Sequence, residues 1–119
     1  MDILVVVNES PEVSTLAATA LRFVEAVQRA GHTVPMVFFQ GEGIYNALSA
    51  GTPDRDRPHL SAMWQKIGRQ HKTRLLLCSA ALARRNTGSV PGVLADEFGQ
   101  AGLPFFLDFA TRCDRVVTF

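Results

Sequence analysis

The chain has 119 residues, of which 47% are hydrophobic and 19% are charged, and 12 basic against 11 acidic residues leave a net charge of +1. This length suits one domain spanning residues 1–119, with enough apolar material for a folded core. The near-neutral charge gives no reason to expect direct binding of nucleic acid or an anionic membrane, because such partners select concentrated basic surfaces. The apolar runs are shorter than the roughly 18 to 20 residues that a membrane-spanning helix needs.

The N-terminus opens directly into the apolar run 2–7, without the basic region and long apolar stretch of a signal peptide. We therefore expect a cytoplasmic protein in which Cys78 and Cys113 stay reduced rather than form a structural disulfide. Zinc sites show closely spaced ligand pairs, and the two cysteines and three scattered histidines contain none. The sequence therefore predicts no metal site.

The predicted elements alternate between strands and helices. The β-branched run 2–7 is typical of a strand covered on both faces of a parallel sheet, and Gly31 ends the amphipathic helix that follows. Further strands are predicted at 33–39, 73–77 and 115–119, helices at 44–49, 60–71, 79–85, 93–99 and 104–113, and loops at 51–58 and 86–92. This alternation predicts an α/β fold: one three-layer domain with a mainly parallel central sheet flanked by helices.

Cys78 is the principal candidate for chemistry, because ligands of such sheets gather at the carboxyl ends of strands. It follows a buried strand and precedes a short helix that ends with Arg84 and Arg85. The positive end of the helix dipole and the two arginines would favour the thiolate, which is the nucleophile. Such a thiolate can accept a sulfane sulfur as a persulfide and pass it on by thiol exchange. The alternative is a small apolar residue that ends a core strand.

The segment Gly41-Glu-Gly-Ile-Tyr-Asn46 also follows a predicted strand and invites comparison with a dinucleotide-binding loop. Its third glycine is missing and no acidic residue ends a following strand at the expected distance, so a tight turn is the favoured interpretation. Tyr45 and Asn46 could instead line the mouth of a pocket around Cys78. Cys113 lies at the end of a predicted helix, where the dipole disfavours the thiolate, and it is interpreted as structural.

Several segments together resemble the DsrE-like family, and within it the TusD type of sulfur-relay subunit. They lie in order along the whole chain: Ile3-Leu-Val-Val-Val-Asn8, Phe38-Phe-Gln-Gly-Glu-Gly-Ile-Tyr-Asn-Ala47, Leu77-Cys-Ser-Ala-Ala81 with Arg84-Arg85, and Cys113-Asp-Arg-Val-Val-Thr-Phe119. The region between Arg85 and Gly102 is shorter than expected for this type, and Asn86 replaces an expected glycine.

The resemblance implies a sulfurtransferase without metal or organic cofactor that carries persulfide sulfur on Cys78. It also implies assembly with sister subunits of the TusBCD or DsrEFH kind into a hexamer, although some relatives form homotrimers or homohexamers. A TusA-type donor and a TusE/DsrC-type acceptor would serve tRNA 2-thiouridine synthesis, or the same scaffold would serve sulfur oxidation. Two alternatives stay open: a non-catalytic assembly subunit, and a small nucleotide- or flavin-binding module.

Overall fold

The computed structural model describes residues 1–11, 14–47, 60–85 and 95–119. Its centre is a sheet of five parallel strands in the order β4-β3-β2-β1-β5. The strands are β1 (Ile3–Val7), β2 (Met36–Phe39), β3 (Arg74–Cys78), β4 (Phe98–Ala101) and β5 (Arg115–Thr118). The helices are α1 (Leu16–Arg29), a 3₁₀ helix (Gly41–Ala47), α2 (Leu60–His71), α3 (Ser79–Arg85) and α4 (Leu103–Ala110). The expected α/β fold with a parallel sheet is confirmed.

Helices cover both faces of the sheet, but unequally. Strands β1 to β4 follow one another across the sheet in chain order. The helices that connect them, α1, the 3₁₀ helix, α2 and α3, all pack on one face. The chain then returns past β1 to β5, and α4 packs on the opposite face. Right-handed crossovers explain this split, because connections that run in opposite directions lie on opposite faces.

The larger core forms between the sheet and the first face of helices. Alternate residues of β1 point into it, and α1 presents its buried side chains at helical spacing: Ala17, Ala20, Leu21 and Val24. On the other face, α4 is held by Phe106, whose ring stacks on Phe38 at 4.7 Å between centroids. Such a pair adds about 0.5 to 1.5 kcal/mol beyond area burial. No side chain of α4 is itself fully buried.

Two element predictions are wrong. The helix expected at 93–99 is contradicted by strand β4, which begins at Phe98 and pairs with β3 from Leu75 to Cys78. The helix expected at 44–49 is a 3₁₀ helix that begins earlier, at Gly41. The predicted loops 51–58 and 86–92 lie outside the described residues, as do positions 48–49 and 93–94 of the two predicted helices.

Among the described helices, none combines the length and the apolar character that a membrane crossing requires.

Candidate functional site

The strands of the sheet all point the same way, so their carboxyl ends form one edge, here called the carboxyl edge. Cys78 is the last residue of β3 and lies beside Ala101, the last residue of β4. Ser79 begins α3 directly after it. The Cys78 thiol is free and its residue is half-buried, packed against the cores of both faces. The sulfur therefore belongs to the rim of the sheet, where its backbone is fixed and part of the residue is open to solvent.

Arg84 and Arg85 lie in the last turn of α3, a helix of seven residues that is roughly 10 Å long. Arg85 Nη2 lies 3.0 Å from Oε1 of Glu42, and Arg85 Nη1 donates a hydrogen bond of 3.3 Å to the carbonyl oxygen of Ala81. Arg84 is exposed. The structure thus ties the basic end of α3 to the 3₁₀ helix, and electrostatic support of Cys78 by the arginines stays a prediction.

The two glycines after β2 have a packing role. Gly41 has φ +55°, and a Cβ atom on Gly43 would lie 2.0 Å from the carbonyl oxygen of Val7. Only glycine allows the 3₁₀ helix to approach the end of β1 this closely. The glycine pair is therefore explained without a phosphate group, which weighs against the nucleotide-binding alternative.

Tyr45 and Asn46, the predicted pocket residues, lie in the 3₁₀ helix, which contacts β3 and α3. Tyr45 is half-buried and packs against the larger core. Asn46 is only 1% exposed. Its Nδ2 donates to the carbonyl oxygens of Glu9 (3.1 Å) and Gly43 (2.8 Å), and its Oδ1 accepts from Trp64 Nε1 at 3.3 Å. Asn46 therefore supports the carboxyl edge from inside the protein.

Cys113 lies at the opposite edge, here called the amino edge, just before β5. Burial raises the pKa of its thiol, and the carboxylates of Asp2 and Asp114 raise it further, while Arg112 lowers it in part. The thiol is free and half-buried. These surroundings disfavour the thiolate, in the direction that the sequence predicts for a structural cysteine.

Within the residues that the structure describes, no three or more histidine, cysteine or acidic side chains gather as metal ligands would. Among the described residues of the carboxyl edge, Cys78 carries the thiol that is the candidate nucleophile. The contact of Arg85 with Glu42 is not predicted from the sequence, because the two residues are 43 positions apart and no local pattern connects them.

The chain is similar in sequence to a protein family and to several named proteins. A model of the DsrE/DsrF-like family matches residues 1–119. A protein of Vibrio vulnificus named "Sulfurtransferase TusD homolog" is 38% identical to the chain, over 96% of the chain and 94% of its own length. "Sulfurtransferase TusD" of Salmonella newport is 36% identical, over 87% of the chain and 88% of its own length.

A solved structure shows the same fold at a lower level of sequence identity. The crystal structure of the ychN protein from E. coli superposes with a TM-score of 0.86, over all of the chain and 99% of that protein, at 20% identity. This likeness establishes the arrangement of strands and helices. The match to the family model over all 119 residues shows that the chain belongs to the DsrE/DsrF-like family.

Proposed function

We propose that residues 1–119 form one domain that acts as a sulfurtransferase, carrying persulfide sulfur on Cys78. The observation that carries the proposal is the place of Cys78: a free, half-buried cysteine at the carboxyl end of β3. Parallel sheets hold their ligands at this edge. The relatives named for sulfur transfer supply the reaction class.

The reaction needs two exchange steps and no external oxidant. In loading, the Cys78 thiolate attacks the sulfane sulfur of a donor persulfide, a new S–S bond forms on Cys78, and the donor leaves as a thiolate. In unloading, an acceptor thiolate attacks the terminal sulfur of the Cys78 persulfide. The S–S bond to Cys78 breaks, and its electron pair returns to the Cys78 sulfur. The sum of both steps moves one sulfur atom and regenerates the thiolate.

Partners and pathway are part of the proposal. Sulfur would arrive from a TusA-type donor and leave to a TusE/DsrC-type acceptor, in tRNA 2-thiouridine synthesis or in sulfur oxidation. We place this relay in the cytoplasm, where reducing conditions keep thiols available for exchange. Support comes from the relatives, whose names give sulfur transfer as the reaction class.

The test is mass spectrometry after incubation with a sulfane-sulfur donor. The wild-type protein gains about 32 Da per sulfur atom, the Cys113→Ser variant gains the same, and Cys78→Ser gains essentially none, because its hydroxyl cannot form a persulfide. Equal loading of Cys78→Ser and the wild type would refute the assignment. Peptide mapping of the loaded wild type then locates the added sulfur.

A second candidate is a non-catalytic assembly subunit, and the outer surface of α4 favours it. Three large apolar side chains there are about half exposed: Leu103 (49%), Phe105 (43%) and Leu107 (53%). Leu103 and Leu107 are one helical turn apart and share a face, whereas Phe105 lies on the other flank of the helix. Large apolar side chains exposed in this number on one short helix are typical of a protein interface. Sister subunits of the TusBCD or DsrEFH kind, in a hexamer or trimer, would cover them.

The two candidates predict different behaviour in cells. An assembly subunit tolerates Cys78→Ser with unchanged sulfur flux, whereas a carrier loses that flux. Leu107→Glu, which puts a charge on the apolar surface, should release the chain from its sister subunits on gel filtration. It leaves sulfur loading of Cys78 in the isolated chain unchanged if α4 serves only in assembly.

A further inference from the structure

One ion pair joins the 3₁₀ helix to the far end of α3. Arg85 Nη2 lies 3.0 Å from Glu42 Oε1, and the same guanidinium donates to the carbonyl oxygen of Ala81. The Arg85 side chain is 22% exposed, compared with 59% for the arginine in the bridge between Arg69 and Glu97. A half-buried guanidinium with two acceptors is held in a narrower range of positions than an exposed one.

Glu42 is presented from a fixed support. The next residue, Gly43, lies against the backbone of Val7 so closely that a Cβ atom would overlap it at 2.0 Å. Asn46 anchors the same helix to Glu9 and to Trp64 of α2 through two hydrogen bonds. The Glu42 carboxylate therefore gives Arg85 a partner on a helix that is also attached to β1 and α2.

The other end of α3 is Cys78. No loop residue separates Cys78 from Ser79, so the cysteine is held on one side by its pairing with β4 and on the other side by α3. A helix of seven residues is too short to be stable without tertiary contacts. Within it, only Ala81 and Leu82 are buried. The ion pair between Arg85 and Glu42 therefore attaches α3 to the protein in addition to the apolar packing of these two side chains.

We propose that Glu42, acting through Arg85, is a positioning residue for sulfur exchange at Cys78. The inference rests on the proposed function of Cys78 as the sulfur carrier. Exchange between two sulfur atoms needs an aligned approach, and a displacement of about 1 Å can cost a reaction up to roughly 100-fold. Losing one ion pair on a short helix should move the thiol by less than about 1 Å, so we expect the exchange rate to fall by less than about 100-fold.

Glu42→Gln is the principal variant, and Glu97→Gln is its matched control. The control removes a carboxylate from a bridge of 3.2 Å near the amino end of β4, away from Cys78. Both are made in a Cys113→Ser background, and the rates of loading with inorganic polysulfide and of alkylation with iodoacetamide are measured at pH 7.5. We expect Glu42→Gln to slow both reactions about three- to tenfold, and Glu97→Gln to stay within about twofold of its parent.

The direction of the change separates positioning from direct electrostatics. If Glu42 acted on Cys78 through its negative charge, loss of that charge would make Glu42→Gln react faster with iodoacetamide. Positioning predicts slower alkylation. Salt at about 1 M should slow the parent towards the variant and leave the variant unchanged, because it screens an ion pair whose Glu42 side chain is 54% exposed.

Variants of Arg85 provide the rescue. Arg85→Gln should be as slow as Glu42→Gln, Arg85→Lys should recover part of the rate, and the double variant Glu42→Gln/Arg85→Gln should be no slower than either single one. If Glu42→Gln fails to fold, the Arg85→Lys variant and the salt series still decide the question.

The outcomes for the two proposals are distinct. If the wild type takes up no sulfur, the carrier function fails, and the alkylation rates still decide whether Glu42 positions the thiol. If the wild type loads normally and Glu42→Gln reacts as fast or faster, the positioning role is overturned while the carrier function stands.

Discussion

Each edge of the sheet has one half-buried cysteine, and the surroundings of the two differ. At the carboxyl edge, Cys78 lies between the last residues of two strands and the start of a short helix, close to a 3₁₀ helix with dense backbone contacts. At the amino edge, Cys113 lies near Asp2 and Asp114, which with burial raise the pKa of its thiol. Both thiols are free and both residues are half-buried, so exposure alone does not distinguish a sulfur carrier from a structural cysteine.

The difference lies in what holds each edge in place. The carboxyl edge depends on contacts that allow no substitute: a glycine against backbone and a buried amide with every hydrogen-bonding group used. The amino edge is held by more permissive contacts, such as the bond from the Asp2 backbone N–H to Asp114 Oδ2 at 2.7 Å. We therefore expect substitutions at the carboxyl edge to cost more stability than comparable ones at the amino edge.

The largest effect is expected from a pair of glycine substitutions. In Gly43→Ala, the new Cβ would lie 2.0 Å from the carbonyl oxygen of Val7, and no side-chain rotation relieves a clash with backbone. We expect the free energy of unfolding to fall by about 3 kcal/mol or more. Gly31, near the amino edge, has φ +94° but open space around it, so Gly31→Ala should cost about 1 to 2 kcal/mol. Urea unfolding of both variants measures the difference, and equal losses would contradict the comparison.

A pair of buried polar substitutions gives the next largest effect. Asn46→Asp keeps the shape of the side chain, but a carboxylate cannot donate to the carbonyl oxygens of Glu9 and Gly43. These two carbonyl oxygens lose the Asn46 donor, and the buried charge keeps only the hydrogen bond from Trp64 Nε1. We expect a loss of about 2 to 4 kcal/mol in the free energy of unfolding at pH 7.

Thr73 provides the control for Asn46, because it is 5% exposed and directly precedes β3 at the amino edge. Its hydroxyl donates to the carbonyl oxygen of Val34 at 2.8 Å and accepts from Gln28 Nε2 at 3.0 Å. Thr73→Val should cost about 1 to 2 kcal/mol, since it removes a neutral hydroxyl and adds no charge. A larger loss for Thr73→Val than for Asn46→Asp, measured in the same urea titration, would reverse the ranking of the two edges.

The sequence predicts the fold wherever local pattern and tertiary role agree. Strands β1, β2, β3 and β5 are apolar or β-branched, and each was expected close to its observed position. Strand β4 was missed because its sequence, Phe98-Gly-Gln-Ala101, has no β-branched residue and includes a glycine. It is a strand because it pairs with β3, and that neighbour is not visible in a local window.

In the candidate site, too, local features can be predicted from the sequence and contacts between distant residues cannot. Cys78 at a strand end can be predicted, because strand periodicity and the helix that follows are both local features. The role of Asn46 depends on Trp64, 18 positions later in the chain, and that of Arg85 on Glu42, 43 positions earlier. Contacts of that range come from the topology of the sheet, and one sequence does not encode them in any short pattern.

The smallest effect that we expect concerns Cys113, and it tests whether the charges at the amino edge control the reactivity of this thiol. In a Cys78→Ser background, iodoacetamide alkylation of Cys113 reports its thiolate fraction as the pH is varied. Asp114→Asn removes one carboxylate that raises the pKa of the thiol, so the pKa falls and alkylation at pH 8 becomes about two- to threefold faster. The amide oxygen of asparagine can still accept the hydrogen bond from the Asp2 backbone.

Arg112→Gln is the variant of opposite sign. It removes the one positive charge that lowers the pKa of Cys113, so the pKa rises and alkylation at the same pH slows by a similar factor. Both changes are modest, because burial is the largest cause of the raised pKa and neither variant alters it. Salt at about 0.5 M should shrink the difference between the two variants, since screening acts on charges and leaves desolvation unchanged. Changes in the same direction for both variants would show that the charges around Cys113 do not control its reactivity, and the contrast between the two cysteines would then rest on burial and backbone position alone.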